Sequence, residues 1–144
     1  MNPIFHKLKA KLIKTVSAIC LSLLLIFAPF GQVAQAGKAL MTGDFVQDTI
    51  SVAENLKSTV DIPDDSADRS TAKDEALELI TAYISRYRNR PQVNGTTSFT
   101  TMQTALNAMA GHYKTFKDRP IPEKLKARLN KELSRAEKIV QKEV

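Results

Sequence analysis

One stretch of the chain, residues 98–133, combines two amphipathic helical patterns with a basic, proline-containing connector. In its first half, apolar side chains recur every three or four residues, the spacing of one buried helix face, at Phe99, Met102, Leu106, Met109 and Tyr113. We predict that this helix ends near residues 110–113 and that the next helix is opened by Pro122 and Glu123, since proline is well suited to a first helical turn. A chain with two such faces must bury them against each other or against further helices.

Three more segments show the same period, which raises the predicted number of helices to four. We predict a first helix over residues 42–59, a second over residues 68–89 and a fourth that begins at Pro122. Their inward faces consist of Phe45, Thr49, Val52, Leu56 and Val60, then Ala76, Ile80, Tyr83 and Tyr87, then Leu125, Leu129, Leu133, Ala136 and Val140. Short connections favour antiparallel neighbours. The sequence therefore predicts an all-α fold, an antiparallel up-down-up-down four-helix bundle over residues 37–144.

Polar residues at the predicted helix starts are candidates for the N-caps. They are Thr42 for the first helix, Asp68 for the second, and Thr97, Ser98 or Thr100 for the third. Two acids in the first helix, Asp44 and Asp48, lie near its N-terminus, where the helix dipole favours negative charge. These assignments predict where each helix begins.

The first 36 residues have the pattern of a cleaved secretory signal peptide. Four lysines between residues 7 and 14 precede an apolar run over residues 15–30, and Ala34-Gln35-Ala36 resembles a cleavage site. The apolar run is shorter than the roughly 20 residues that span a bilayer. The single cysteine, Cys20, lies inside this segment. We therefore expect a mature domain over residues 37–144 without disulfides, a thiolate nucleophile or cysteine-ligated zinc.

The charge of the chain is divided between its two halves. Removing the predicted signal takes four of the 21 basic residues and none of the 15 acidic ones, which lowers the net charge from +6 to +2 and gives no indication of nucleic-acid binding. Residues 37–85 contain 4 basic and 10 acidic groups, and residues 86–144 contain 13 and 5. This asymmetry predicts a molecule that could orient on a charged partner.

The fourth predicted helix carries six cations spaced alternately by four and three residues: Lys124, Arg128, Lys131, Arg135, Lys138 and Lys142. At 100° per residue they share one face, about 130° from the apolar stripe. Like charges at this spacing cost a helix a few tenths of a kcal/mol per pair. Two interpretations remain open at this point. The row is either a solvated face relieved by Glu132 and by acids of the first two helices, or a docking face for an acidic partner or a lipid surface.

No catalytic, metal or cofactor motif is recognisable. His112, the histidine left after signal cleavage, is either a C-cap or packing residue beside Gly111 or a functional contact, and one histidine cannot build a typical zinc site. The acids of residues 61–68 lack the spacing of a calcium loop and are interrupted by Pro63. No serine has the context of a nucleophile. We predict a protein that is not an enzyme and has no cofactor.

Several of these segments resemble one family, the small lumenal assembly lipoproteins of photosystem II, Psb twenty-seven. The resemblance runs from about Leu40 to Lys142 and is carried by residues 43–49, 101–107, 110–113 and 119–129. It implies a right-handed four-helix bundle in the thylakoid lumen. It further implies binding to the lumenal side of the chlorophyll-binding inner antenna subunit during photosystem II assembly or repair. That stage precedes completion of the manganese cluster and addition of the extrinsic subunits.

One departure from the family concerns the lipid anchor. Where cyanobacterial members have a lipobox cysteine, this chain has Ala34-Gln35-Ala36-Gly37, and Cys20 lies too early. We therefore expect a protein that associates peripherally with the thylakoid membrane, and we expect it to be a monomer.

Two alternatives to an assembly factor remain: a structural extrinsic subunit of the mature oxygen-evolving complex, and an exported bundle that binds a small apolar ligand. The candidate partner-binding residues are Arg86, Arg90, His112, Arg119, Lys124, Arg128, Lys131 and Arg135.

Overall fold

The computed structural model describes residues 40–143, which form four α-helices and, within that range, no β-strand. In chain order they are α1 (Phe45–Val60), α2 (Arg69–Tyr87), α3 (Thr97–Thr115) and α4 (Glu123–Val140). The predicted signal peptide over residues 1–36, with Cys20 and the expected cleavage site, lies outside the described residues. The four helices and their order agree with the prediction from the apolar periodicity.

The helices form a ring in which each one packs against two others. α1 and α3 both contact α2 and α4, so that α2 lies diagonally opposite α4. Contacts between neighbouring helices join the start of one helix to the end of the other. The Thr49 hydroxyl, near the start of α1, lies 2.7 Å from the hydroxyl of Tyr83 near the end of α2. The backbone N–H of Thr97, at the start of α3, donates to Glu143 just after α4. Neighbouring helices are therefore antiparallel, which confirms the predicted up-down-up-down bundle.

The core consists of the side chains whose spacing predicted the helices. Two predicted inward residues, Phe45 and Leu125, are only partly buried, and all the others have at most 8% of their surface exposed. The largest fully buried side chains are Tyr83, Tyr87, Phe99, Leu56, Met102, Leu106 and Met109. Three rings form a chain through one half of the bundle, because Tyr83 lies 5.0 Å from Tyr87 and 6.2 Å from Phe99 between ring centroids.

The start of α1 differs from the prediction. Asp44, not Thr42, is the N-cap, and its side chain accepts a hydrogen bond from the backbone N–H of Gln47. The Thr42 hydroxyl instead donates to Asp48. Both residues are good caps in isolation. The chain turns at Gly43, whose φ of 100° suits glycine, and this turn leaves Thr42 outside the helix.

The ends of the other helices also shift by a few residues. Thr96 caps α3, ahead of the predicted candidates, and accepts from the N–H of Phe99. Asp68 is at the N-cap position of α2 but its side chain makes no capping bond. Gly111 does not end α3, because the helix continues to Thr115. Runs of threonine and serine offer several equivalent caps, and tertiary packing selects one.

The pKa values of all three tyrosines of the chain are raised because the bundle encloses their side chains. Burial raises the pKa of Tyr113 to about 12. Burial also raises the pKa of Tyr83, whose hydroxyl meets Thr49. The pKa of Tyr87 is raised by burial and by the hydrogen bond that its hydroxyl donates to Asp48. The neutral phenol is thus the form that the folded state favours.

We expect the native protein to show almost no tyrosinate absorbance at pH 10.5, whereas in concentrated urea about three quarters of its tyrosine is ionised at that pH. Because the folded pKa values are raised, the stability that the tyrosines contribute is complete below pH 10. It is lost as pH rises from 10 through the folded pKa values. A spectrophotometric titration of native and urea-unfolded protein measures the difference. Overlapping titration curves would show that the phenols are in contact with water in the native state.

Candidate partner-binding surface

The structure distributes the eight predicted contact residues over three separate places. Four of them, Lys124, Arg128, Lys131 and Arg135, lie along α4. Two others, Arg86 and Arg90, lie at the end of α2, which is diagonal to α4. The last two, His112 and Arg119, lie at and after the end of α3. They therefore do not form one continuous site, and each place has its own chemistry.

The outer face of α4, which we call the basic face, presents Lys124, Arg128, Lys131, Arg135 and Lys138, all exposed. Lys142 follows the end of the helix in a turn. The helix has 18 residues and is therefore about 27 Å long. Arg128 is paired, with its Nε 2.9 Å from Glu132 Oε1. Among residues 40–143, no carboxylate lies within 4 Å of the other cations of this face.

The interpretation of this face as solvated and relieved by acids is found only in part: Glu132 pairs with Arg128, but among residues 40–143 no acid of α1 or α2 lies within 4 Å of the row. The acids near α4 pair with other groups: Glu137 binds Lys57 of α1 at 2.7 Å, and Asp64 lies 3.8 Å from Lys126. The exposed acids of α2, Asp74, Glu75 and Glu78, are on the diagonal helix. Between them, α3 carries no charged residue from Thr97 to Gly111. These exposed acids of α2 and the exposed cations of α4 therefore lie on diagonally opposite helices, although the end of α2 also carries basic residues.

Arg86 and Arg90 hold the segment that precedes α1. Arg86 is partly buried, and its Nη1 lies 3.6 Å from Asp48 Oδ2. Arg90 donates to the carbonyl oxygen of Gly43 at 3.4 Å, and its guanidinium lies 4.8 Å from the centre of the Tyr87 ring. Arg86 therefore neutralises a buried carboxylate, whereas Arg90 is exposed and remains accessible to a partner.

Asp48 is the polar centre of this end of the bundle, and its burial was not foreseen. Its side chain is fully buried and accepts hydrogen bonds from the Thr42 N–H at 2.6 Å, the Gly43 N–H at 3.1 Å and the Tyr87 hydroxyl at 2.6 Å. An acid in the first turn is usually exposed and complements the helix dipole. The sequence did contain one indication of its burial: Asp48 follows Phe45 by three residues and therefore lies on the apolar face of α1.

His112 lies inside the end of α3 and is not a C-cap. It is 9% exposed, its ring centroid lies 5.3 Å from that of Phe116, and its Nε2 is buried without a hydrogen-bond partner among the described residues. The guanidinium of Arg119 lies 5.6 Å from the centre of the Phe116 ring. Phe116 itself is 42% exposed and is the large apolar side chain that the described region presents to solvent. Sequence reasoning selected its two neighbours but missed this ring.

Residues 40–143 lack the features of two other functional classes. That part of the chain contains no group of three or more histidine, cysteine or acidic side chains arranged to hold a metal ion. None of its helices has the length and the apolar character that crossing a membrane requires.

Comparison of this chain with known proteins shows that it is similar to the members of one family. The family model described as Photosystem II Pbs27 matches residues 7–140. The Photosystem II lipoprotein Psb27 of Synechocystis sp. is 44% identical over 124 residues, which cover 86% of this chain and 92% of that protein. The Photosystem II assembly factor lipoprotein Psb27 of Thermosynechococcus vestitus is 37% identical over 103 residues, covering 72% and 77%. The solution structure of Psb27 from cyanobacterial photosystem II is similar with a TM-score of 0.68 and 46% identity, covering 72% of this chain and 90% of that one.

Proposed function

Because this chain belongs to the photosystem II Pbs27 family, we propose that it is an assembly and repair factor of photosystem II that acts by surface recognition rather than catalysis. The name of one relative, a photosystem II assembly factor, supports the role. The observation that carries the proposal is the basic face of α4, where four exposed cations have no carboxylate within 4 Å among residues 40–143. Such a surface suits recognition of an acidic partner.

The partner in this proposal is the lumenal side of the chlorophyll-binding inner antenna subunit. Binding precedes completion of the manganese cluster and addition of the extrinsic subunits. The protein then works in the thylakoid lumen, peripherally associated with the membrane, after removal of residues 1–36. The other candidate is a structural extrinsic subunit of the mature oxygen-evolving complex. Retrieval of the tagged protein from thylakoids separates them, because enrichment with manganese-free intermediates supports assembly and stoichiometric presence in active complexes supports the alternative.

Reversing a single charge on the basic face should slow association with the partner. We expect Arg135→Glu to lower the association rate about three- to tenfold at low salt, because steering charges act mainly on encounter. The probe is immobilised photosystem II depleted of manganese and extrinsic subunits, with rates measured across a salt series. Since attraction is screened over about 8–10 Å at ordinary ionic strength, the difference from the unmodified protein should shrink as salt rises.

Arg88→Glu is the matched control, because Arg88 is also exposed, lies at the end of the diagonal helix α2 and has no carboxylate within 4 Å among the described residues. Both variants change the net charge equally, so a difference between them reports position. Arg128 is less suitable because its replacement also breaks the bond to Glu132. Equal association rates for the two variants would remove the basic face from the interface.

A further inference from the structure

We propose that Phe116 anchors docking at one end of the bundle, where its exposed ring and the cations that flank it in the chain bind an acidic segment of the partner protein. We call this surface the connector knob; it consists of Phe116, Lys114, Lys117 and Arg119. It deepens the proposed function, on which it rests, by naming the contact that holds the complex together. The basic face of α4 then guides the approach, and the connector knob slows dissociation.

The exposed ring is the first observation behind this inference. Phe116 ends α3 as its C-cap, with φ −120° and ψ 67°, and 42% of its surface remains in solvent. Burying apolar surface is favourable, so the exposed part of this ring can still contribute to binding when a partner covers it. Aromatic and arginine side chains are the residues that most often dominate binding energy at protein interfaces. Here both types are present in one contact.

The positive charge of the connector knob indicates which kind of partner it can bind. Lys114, Lys117 and Arg119 are exposed, and within residues 40–143 none has a carboxylate within 4 Å. One exposed acid, Asp118, lies among them in the chain, so the surface keeps a net positive charge. The guanidinium of Arg119 lies over the ring, 5.6 Å from its centre. A carboxylate of the partner that pairs with Arg119 therefore comes to lie close to the Phe116 ring. The partner that fits is an acidic protein segment with an apolar side chain beside the acid, which can pack on that ring.

The unpaired His112 nitrogen is a second and independent observation. Its Nε2 is buried without a hydrogen-bond partner among the described residues, although leaving a buried polar group without a partner is unfavourable. The His112 ring lies 5.3 Å from Phe116, the exposed ring beside it. A shift of Phe116 onto a partner opens this nitrogen to a hydrogen bond that the free protein lacks.

The connector knob lies at the end of the bundle opposite to the segment before α1. Phe116 follows the end of α3, and the start of α3 lies beside the end of α2, since Tyr83 stacks on Phe99. The end of α2 holds residues 42–43 through Asp48 and Tyr87. With 19 residues, α3 separates the two ends by about 28 Å. The segment before α1 and the connector knob can therefore contact different molecules at the same time.

The inference is tested with Phe116→Ala and Arg119→Ala against immobilised photosystem II depleted of manganese and extrinsic subunits. We expect Phe116→Ala to weaken binding at least about tenfold, mainly through faster dissociation, and Arg119→Ala about threefold. Phe116→Tyr keeps the ring and should bind within about twofold of the unmodified protein. Arg88→Ala, an exposed arginine at the other end of the bundle, is the control for Arg119→Ala. Circular dichroism melts of each variant check that the helices are intact.

A salt series separates this contact from the charges of α4. The loss caused by Phe116→Ala should persist at high salt, because the contact is apolar, whereas the effect of Arg135→Glu should vanish. If the unmodified protein binds and Phe116→Ala binds equally well, the connector knob is not the anchor, while the proposed function stands. If the unmodified protein does not bind the depleted particles, the proposed function itself fails. If Phe116→Ala melts early, the binding of Arg119→Ala, which alters only the connector, decides whether the knob is the anchor.

Discussion

Replacing Asp48 by alanine is expected to lower the free energy of unfolding by about 3–5 kcal/mol, because several donors that bond to its buried carboxylate lose their acceptor at a cost of about 1–3 kcal/mol each. The substitution leaves the N–H groups of Thr42 and Gly43 and the hydroxyl of Tyr87 without their acceptor. It also leaves Arg86 without the carboxylate that faces it. Urea denaturation followed by far-ultraviolet circular dichroism measures the change.

Glu54→Ala is the matched control for Asp48→Ala, because Glu54 is an acid on the same helix but is exposed. Surface substitutions of this kind usually change stability by less than about 0.5 kcal/mol. Asp48→Asn refines the result, since asparagine keeps the size and one acceptor but replaces the other by a donor. A loss below about 1 kcal/mol for Asp48→Ala would mean that water replaces the carboxylate, and that the segment before α1 is only loosely held.

The helices were predictable because their pattern is local. A helix repeats every 3.6 residues, so a stripe such as Phe99, Met102 and Leu106 reports the buried face before any partner is known. Short connections then leave few ways to join four such helices. The exposure of the basic face followed from the same period, since residues opposite a buried stripe must face water. These parts of the fold needed no information from distant residues.

The polar contacts were not predictable because they join residues far apart in the chain. Asp48 and Tyr87 are 39 positions apart, and only the register of α1 against α2 makes the carboxylate an acceptor for that hydroxyl. Arg86 was chosen as a partner contact from its charge alone, and that register turns it toward Asp48 instead. His112 likewise lies within α3, because that helix continues to Thr115, and its ring is 5.3 Å from that of Phe116. Charge and helix period locate a residue on a face, but the neighbouring helix decides its partner.

Met109→Ala should destabilise the protein by about 2–5 kcal/mol, because it removes a side chain that is 1% exposed at the centre of α3 and leaves a cavity. Met109→Leu, which roughly conserves volume, should cost less than about 1.5 kcal/mol. Urea melts of the two variants, followed by far-ultraviolet circular dichroism, separate loss of packing from loss of methionine as such. Similar midpoints for Met109→Ala and the unmodified protein would mean that α3 presents a different face to the core.

A second substitution on the same helix provides a contrast of opposite sign. Gly111 lies two residues further along α3, is exposed, has no positive φ, and a Cβ added to it meets no atom within 4 Å. Gly111→Ala should therefore raise stability by roughly 0.5–1 kcal/mol, because alanine restricts the unfolded chain and favours the helix. Helix propensity alone would make the methionine change nearly neutral and would leave the glycine change favourable. Loss of stability at residue 109 together with a gain at residue 111 would therefore establish that tertiary burial, rather than helix propensity, holds α3 in the bundle.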